Sequence, residues 1–333
     1  MASRQISLFP EAKLDIGLRD AADLIRLAGI EGLPNAITRA DEARYQEVVV
    51  KSALTEARGM PFRWALNSYR GCTHACQYCY ARKYQRHLEL NAGDDFSGVI
   101  FAKTNLPDVL RREVSRRTWA HETVAVGTAT DPYQPIEGHY QITRRCLEVL
   151  TLHETPFSIV TKGPMVVRDI DILTRATGAA GCQVFFSVPS VDDAACEQLE
   201  PGAAPPRQRL RAAQRLRDAG VSVAVLMMPL VPGITTSRAA LERTVTAIRE
   251  AGLKLGGVAV ARLDPGVREF FFEFIAREYP ELIDGYRRLY SGTRASAPYL
   301  AAVRALVDRI RGRSIDSPPG AEARSIANPD GSS

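Results

Sequence analysis

Short apolar, β-branched runs recur along the middle of the chain and alternate with longer amphipathic segments. The apolar runs occupy residues 63–69, 123–130, 156–162, 183–189, 221–230 and 255–263. Segments long enough for helices lie between them, among them 108–120, 143–153 and 206–220. Strands that alternate with helices predict βαβ units and a parallel sheet, and nearly continuous apolar strands predict a sheet buried on both faces. The pattern therefore predicts an α/β fold, a partial (β/α)6 barrel of the TIM type, with its chemistry at the carboxyl ends of the strands.

The same pattern divides the chain into four parts. We predict a short N-terminal extension over residues 1–60, the partial barrel over 61–265 and a helical C-terminal region over 266–313. Residues 314–333 are polar, contain Pro and Gly, and predict a disordered tail. The phenylalanines near residue 270 fall at helical spacing, which predicts buried core packing rather than stacking on bases.

Composition and charge restrict the class of protein. The 333 residues are 45% hydrophobic and 24% charged, as in an ordinary globular protein. No apolar run approaches the roughly 18 residues that a membrane helix needs, so we predict no membrane association. The first residues lack the apolar core of a signal peptide, which predicts a cytoplasmic protein. The net charge of +5 permits a nucleic-acid partner but does not demand one.

Three of the six cysteines lie within eight residues of each other. Cys72, Cys76 and Cys79 have the spacing C-x3-C-x2-C, directly after a predicted strand. Iron–sulfur clusters are held by cysteine thiolates, and three thiolates from one loop can hold three irons and leave a fourth open to a small ligand. A structural zinc site with His74 as the fourth ligand is an alternative, and so is a redox pair of Cys76 and Cys79, which leaves Cys72 unexplained. The spacing favours the three-thiolate cluster.

The other three cysteines are far apart in the sequence. Cys146 and Cys196 fall on predicted helices, and Cys182 precedes a predicted strand. We interpret them as small buried apolar residues rather than ligands of an auxiliary cluster.

The cysteine segment resembles a known family. YRGCTHACQYCYAR (69–82) carries an aromatic residue, Tyr78, before its last cysteine and follows the first strand of the predicted barrel. This arrangement resembles the radical S-adenosylmethionine superfamily. Together with GTATDPYQPIE (127–137), it resembles the branch related to spore photoproduct lyase, whose members include DNA-repair photolyase-like proteins. The resemblance covers about residues 60–265. It implies a [4Fe–4S] cluster on Cys72, Cys76 and Cys79, S-adenosylmethionine as cofactor, reductive cleavage to a 5′-deoxyadenosyl radical, and a low-potential electron donor of flavodoxin or ferredoxin type.

Polar side chains lie at the carboxyl ends of the predicted strands beside this loop. Bound S-adenosylmethionine needs acceptors for its ammonium group and a cation or donors for its carboxylate. The resemblance implies that the cofactor site contains Tyr78 at the adenine, Thr130 and Asp131 at the amino group with Thr128 at the same strand end, Lys162 at the carboxylate, and Ser187 at the ribose or carboxylate. Turn chemistry at Asp131-Pro132 and an exposed loop start at Lys162 remain the alternatives.

The substrate class favoured by the resemblance is nucleic acid, such as a damaged pyrimidine. Radical modification of a peptide or small metabolite is a rival reaction, and a zinc-stabilised binding module without catalysis is a rival of another class. The arginine stripes predict solvated helix faces rather than a phosphate track; they comprise Arg207, Arg209, Arg211, Arg215 and Arg217 on one helix and Arg111, Arg112, Arg116 and Arg117 on another. We expect substrate-facing charge from Arg70, Arg82, Lys83, Arg86 or the C-terminal helices.

One position departs from the pattern of the lyases that the chain resembles. Those lyases carry a cysteine two residues before the residue that matches Thr130, and its thiol donates a hydrogen atom to the product radical. Thr128 occupies that position here. The sequence therefore predicts that this chain does not cleanly repair the thymine dimer of spores.

Overall fold

The computed structural model of the chain describes residues 5–6, 39–57, 59–88, 91 and 93–312. The strands are β1 (Gln5–Ile6), β2 (Arg44–Val48), β3 (Leu54–Glu56), β4 (Trp64–Leu66), β5 (Tyr69–Arg70), β6 (Val99–Lys103), β7 (Val124–Val126), β8 (Phe157–Thr161), β9 (Cys182–Ser187), β10 (Ser222–Leu230) and β11 (Lys254–Val260). The α-helices are α1 (Asp94–Gly98), α2 (Leu106–Val114), α3 (Glu137–Tyr140), α4 (Ile142–Leu152), α5 (Ile170–Ala179), α6 (Asp193–Leu199), α7 (Pro206–Asp218), α8 (Arg238–Glu250), α9 (Val267–Glu278), α10 (Ile283–Leu289) and α11 (Ala297–Arg311). Short 3-10 helices span Tyr80–Leu88, Pro164–Asp169 and Pro280–Leu282.

The main sheet has the strand order β11-β10-β9-β8-β7-β4-β3. Its strands from β4 to β11 pair in parallel and follow one another in chain order, with helices in the connections. Only β3 runs antiparallel, as a hairpin partner of β4. This arrangement confirms the predicted partial (β/α)6 barrel, and each of its six parallel strands begins within one residue of a predicted apolar run. The carboxyl ends of all six therefore meet at one rim.

A second, smaller sheet was not predicted. Its order is β1-β2-β6-β5, with β2 parallel to β6 and β5 antiparallel to β6. It joins residues 44–48, from the predicted N-terminal extension, to the residues directly before the cysteine loop. The division into parts stays a prediction, since residues 7–38 of the extension and the tail at 314–333 lie outside the described residues.

The helices largely follow the amphipathic segments. The segment 108–120 is an exception, because α2 ends at Val114 and the Ser115 hydroxyl then bonds back to a carbonyl of the last turn. Trp119 lies beyond the helix, where its indole packs on Trp64 and donates to the hydroxyl of Thr155. Trp119 thus fits the apolar pattern of the predicted helix but lies in a loop that packs on the barrel.

The C-terminal helices pack their apolar faces inward, as the spacing predicts. Phe271 and Phe274 of α9 are buried and stack on each other, and Tyr286 of α10 packs edge-on against Phe271. Burial of such side chains contributes about 1.5–3 kcal/mol each. Among the described helices, none is long and apolar enough to cross a membrane.

Candidate active site

The cysteine loop begins with a backbone turn that only glycine tolerates. Gly71 has φ of +81°, and a Cβ atom there would lie 2.6 Å from the carbonyl oxygen of Val99. The close approach lets the backbone N–H of Cys72 donate to the Phe96 carbonyl at 3.0 Å. The second sheet therefore fixes where the loop starts, at the rim of the barrel.

Further along, the loop is held by turns and by the connection between α6 and α7. The N–H of Ala75 donates to the carbonyl of Cys72 at 3.2 Å, and that of Cys79 to Cys76 at 3.3 Å. Gly202 lies so close that a Cβ atom there would overlap the carbonyl oxygen of Thr73. The backbone thus presents its three thiols from a fixed, tightly packed turn.

Arg82 supports the loop from beneath. Its guanidinium donates to the carbonyl oxygens of Cys76 and Ala75, each at 2.9 Å, and is 2% exposed. It lies between the rings of Phe96 and Phe270, at 5.0 and 4.2 Å from their centroids. The expectation that Arg82 faces the substrate is wrong, because its donors are used to hold the loop.

Burial and a nearby cation act in opposite directions on thiols of the cysteine loop. Cys72 and Cys76 are buried, Cys79 is half-buried, and all three are free. Burial raises the pKa of Cys72 well above its ordinary value. Burial also raises the pKa of Cys76 to about 12, although the charge of Lys162 acts to lower it. Metal binding releases these protons, and the nearby cation favours the resulting thiolate.

The zinc alternative would need the three thiols and His74 to converge on one ion. No group of three His, Cys, Asp or Glu side chains in the part of the chain that the structure describes converges on a point where one ion could bind. The Nδ1 atom of His74 instead lies 3.4 Å from the Asp131 carboxylate. A cubane cluster places each thiolate on a different iron, so its ligands need not converge in this way.

Thr130 braces the start of the loop. Its hydroxyl donates to the Gly71 carbonyl at 2.6 Å and accepts from the Gln134 amide at 3.0 Å. The same Gln134 side chain accepts from the backbone N–H of Thr73 at 3.1 Å. Thr130 is buried. Its contacts link the segment that follows β7 to the cysteine loop.

Asp131 joins the ends of two strands. Its carboxylate accepts from the Thr161 hydroxyl and from the Lys162 backbone N–H, both at 2.7 Å, and from the Tyr133 N–H at 2.9 Å. Burial opposes ionisation, but His74 and these donors outweigh it and lower the pKa of Asp131 to about 2. Asp131 is therefore a fixed anion that positions Lys162, and its contact with a cofactor amino group stays a prediction.

A buried ion cluster beside Cys76 was missed from the sequence. Glu200 is fully buried, accepts the Tyr78 hydroxyl, and has Arg209 at 2.5 Å and the Lys162 Nζ at 3.8 Å. Burial would raise the pKa of Glu200, but the charges of Arg209 and Lys162 hold it below its ordinary value. Lys162 and Tyr78 thus share one carboxylate, and the Lys162 Nζ lies 5.8 Å from the centre of the Tyr78 ring.

Arg209 corrects the prediction of a solvated arginine face. Arg207, Arg211 and Arg215 are exposed as predicted, but Arg209 is 1% exposed and points inward. Besides Glu200, it donates to the carbonyl of Ser187 at 3.0 Å. The available signal was its phase, because it falls off the i, i+4, i+8 stripe of its three neighbours.

The two remaining predicted cofactor residues lie on either side of this cluster. Ser187 is buried, and its hydroxyl donates to the Met228 carbonyl at 2.6 Å. Thr128 is half-buried; its hydroxyl accepts from the Asn67 amide at 3.1 Å, and the Tyr80 hydroxyl donates to its carbonyl. Among the six predicted cofactor residues, Tyr78 lies in the cysteine loop, and Thr130, Asp131 and Lys162 contact it. The contacts of Ser187 and Thr128 are with residues outside the loop.

The remaining predicted residues are accounted for individually. Cys146, Cys182 and Cys196 are buried in α4, β9 and α6, outside the loop, and burial raises the pKa of each. Lys83 pairs with the Asp264 carboxylate at 2.5 Å. The side chain of Arg86 lies outside the described residues.

Comparisons with known proteins show which family the chain resembles. A family model for the Radical SAM superfamily matches residues 66–257. An uncharacterized protein of Mycobacterium tuberculosis is 37% identical over 263 residues, which cover 78% of this chain and 76% of the relative. A protein of Pseudomonas phage M6 named Radical SAM Nalpha-GlyT isomerase is 26% identical over 168 residues, half of this chain and 32% of that protein.

Solved structures show the same fold. A spore photoproduct lyase complexed with dinucleoside spore photoproduct superposes with a TM-score of 0.61 over 90% of this chain and 93% of that chain. The two sequences are 16% identical. At this identity the likeness shows the fold alone.

Proposed function

This chain belongs to the radical S-adenosylmethionine superfamily, and from that premise we propose that it is an enzyme that holds a [4Fe–4S] cluster on Cys72, Cys76 and Cys79 and binds S-adenosylmethionine beside it. When bound, the cluster supplies the electron that cleaves S-adenosylmethionine to methionine and a 5′-deoxyadenosyl radical, which abstracts hydrogen from a substrate. The observation that carries the proposal is the rigid loop with three free thiols at the barrel rim. Anaerobic reconstitution with iron and sulfide tests it: a brown protein with about four irons supports the cluster, and a colourless protein contradicts it.

The residues around the loop are proposed to contact different parts of the cofactor. Lys162 supplies a cation for the carboxylate, held in place by Glu200 and by the Asp131 contact to its backbone. Tyr78 is proposed for the adenine, and Ser187 for the ribose or the carboxylate. Thr130 and Asp131 are proposed for the amino group, in addition to the bracing contacts that they make within the chain.

The substitution Lys162→Ala tests the carboxylate contact. It is expected to weaken S-adenosylmethionine binding by about 1.5–3 kcal/mol, the usual worth of a hydrogen bond to a charged group. The cluster should still assemble, because Lys162 is not a ligand. Equilibrium binding to the reconstituted protein measures the effect, with Lys254→Ala at the exposed start of β11 as the control. An affinity equal to that of the control would remove Lys162 from the site.

The proposed substrate class is nucleic acid, but the reaction differs from thymine-dimer repair in spores. An aliphatic O–H bond is much stronger than a thiol S–H bond, so Thr128 cannot readily quench a carbon radical. We expect the wild-type enzyme to cleave S-adenosylmethionine without converting dinucleoside spore photoproduct to thymines. Chromatography of the reaction measures this, and Thr128→Cys, which supplies a thiol on the same strand end, is the matched variant. Efficient repair by the wild-type enzyme would refute the prediction and would direct attention to Tyr78 and Tyr80.

The proposal extends to the partners of the enzyme. A low-potential donor of flavodoxin or ferredoxin type is needed to reduce the cluster, and a cytoplasmic location suits free thiols of this kind. Modification of a peptide or small metabolite is the second candidate. It is favoured if no deuterated oligonucleotide transfers its deuterium to 5′-deoxyadenosine.

A further inference from the structure

Two cations lie on one face of the second sheet, directly before the cysteine loop. In the antiparallel pairing of β5 with β6, Tyr69 lies opposite Ala102 and Arg70 opposite Phe101. Opposite residues share a face and side chains alternate along a strand, so Arg70, Phe101 and Lys103 project from the same side. Arg70 and Lys103 are diagonal neighbours, a separation that long side chains bridge.

No carboxylate among the described residues forms an ion pair with either cation. The Lys103 Nζ donates to the Asn67 carbonyl at 2.7 Å, and an Arg70 Nη donates to the Tyr84 carbonyl. The Arg70 Nε is buried and has no partner in the part of the chain that the structure describes. Burial and the neighbouring charge of Arg70 lower the pKa of Lys103 to about 8. Two unpaired cations that repel each other are stabilised when an anion binds between them.

The contacts of this pair connect it to the reaction site. Arg70 directly precedes Gly71 and Cys72. Asn67, which holds Lys103 through its carbonyl, also donates from its amide to Thr128 and accepts from the Ala129 N–H at 2.7 Å. An anion at Arg70 and Lys103 is thus held by the same loop and strand ends that carry the cysteines and the cofactor residues.

Two exposed tyrosines accompany the cations. Tyr80 and Tyr84 are 38% and 37% exposed, with ring centroids 6.4 Å apart. The Tyr80 hydroxyl is held by the Thr128 carbonyl, and the Tyr84 carbonyl holds Arg70. The Lys83 Nζ lies 5.7 and 5.3 Å from the centroids of the Tyr80 and Tyr84 rings, which places a third cation beside them. Aromatic rings next to cations are the combination with which proteins bind single-stranded nucleic acid.

We propose that Arg70 and Lys103 bind a backbone phosphate of a single-stranded nucleic-acid substrate, and that Tyr80 and Tyr84 offer faces on which its bases stack. This inference rests on the proposed function and names the substrate contact of that same site. Phosphate contacts fix the register of a bound strand, so the pair would position the reacting nucleotide at the barrel rim.

Binding of a fluorescein-labelled thymidine 12-mer to the reconstituted holoenzyme tests the site. We expect Arg70→Gln and Lys103→Gln each to weaken binding about tenfold or more at low salt, and to reduce the slope of log affinity against log salt by about 0.7 per cation removed. Arg70→Lys, which keeps the charge, should retain most of the affinity. Arg207→Gln, on the exposed face of α7, is the matched control and should bind like the wild type.

The outcomes separate this proposal from the proposed function. Variants that bind the 12-mer like the Arg207→Gln control, at equal cluster content and with unchanged thermal melting, would overturn the phosphate site. The phosphate site would also be overturned if the variants lost affinity for a labelled acidic peptide but kept their affinity for the 12-mer. A wild-type enzyme that cleaves S-adenosylmethionine but does not bind the 12-mer would overturn this inference and count against nucleic acid as the substrate class, while leaving the proposed radical chemistry standing. A protein that assembles no cluster would overturn the proposed function.

Discussion

Replacing Cys72, Cys76 or Cys79 individually with Ala is expected to abolish both iron loading and 5′-deoxyadenosine formation. Each thiol is proposed as a separate ligand on a turn fixed by Gly71 and by Arg82, so we expect no neighbouring side chain to replace a lost thiol. Iron content, the visible absorbance of the reconstituted protein and chromatography of the products measure the loss, which we expect to exceed a hundredfold in activity.

The three distant cysteines provide matched controls for this result. Cys146, Cys182 and Cys196 are buried within other elements, so Ala at these positions removes a thiol without touching the loop. We expect all three variants to retain the chromophore and the activity at a small cost in stability. Loss of the chromophore in Cys146→Ala alone would show that the ligand assignment is wrong.

Glu200→Ala is expected to lower the free energy of unfolding by about 3–5 kcal/mol, because it leaves Arg209 buried without its carboxylate partner. Lys162 and the Tyr78 hydroxyl lose the same acceptor. Urea unfolding of the cluster-free protein, followed by circular dichroism, measures the change. Glu200→Gln keeps an acceptor for Tyr78 and should cost less than Glu200→Ala.

An exposed ion pair of the same chemistry gives the comparison. Glu242 pairs with Arg238 on the surface of α8 at 2.7 Å, and both side chains are exposed. Such pairs contribute about 0–1 kcal/mol, so Glu242→Ala should shift the midpoint only slightly. Equal shifts for Glu200→Ala and Glu242→Ala would mean that the buried cluster does not hold the site together.

The parallel strands and the cysteine loop could be predicted from the sequence because each leaves a local signal. A strand buried on both faces is a continuous apolar run, and six such runs separated by helices leave few topologies. The three cysteines of the loop lie within eight residues, so their spacing predicts them as a ligand set. The proximity of Lys162 and Asp131 could be predicted because both follow strands whose carboxyl ends meet at one rim, and their cofactor roles stay predictions.

The second sheet could not be predicted in the same way. β2 reads RYQEV, which mixes polar and apolar residues, and β5 has only two residues. β6 has four apolar residues followed by Lys103, a run too short for periodicity to distinguish a strand from a buried helix segment. These strands are defined by their pairing with each other, which is long-range information.

Arg82 and Arg209 show why buried charge escapes sequence analysis. Hydrophobic periodicity records which positions are apolar, and an arginine at a buried position looks like one more surface charge. Its burial depends on acceptors that lie elsewhere in the chain: the carbonyls of Cys76 and Ala75 for Arg82, and Glu200 for Arg209. Only the folded chain brings these partners together.

The measurement that tests the central claim most directly is product formation by the reconstituted wild-type protein. Under anaerobic conditions, with dithionite as reductant, the enzyme is expected to convert S-adenosylmethionine to methionine and 5′-deoxyadenosine, and the Cys76→Ala variant is expected to form neither. A protein that carries a full complement of iron yet forms no 5′-deoxyadenosine, or that forms as much after Cys76→Ala, would contradict the account.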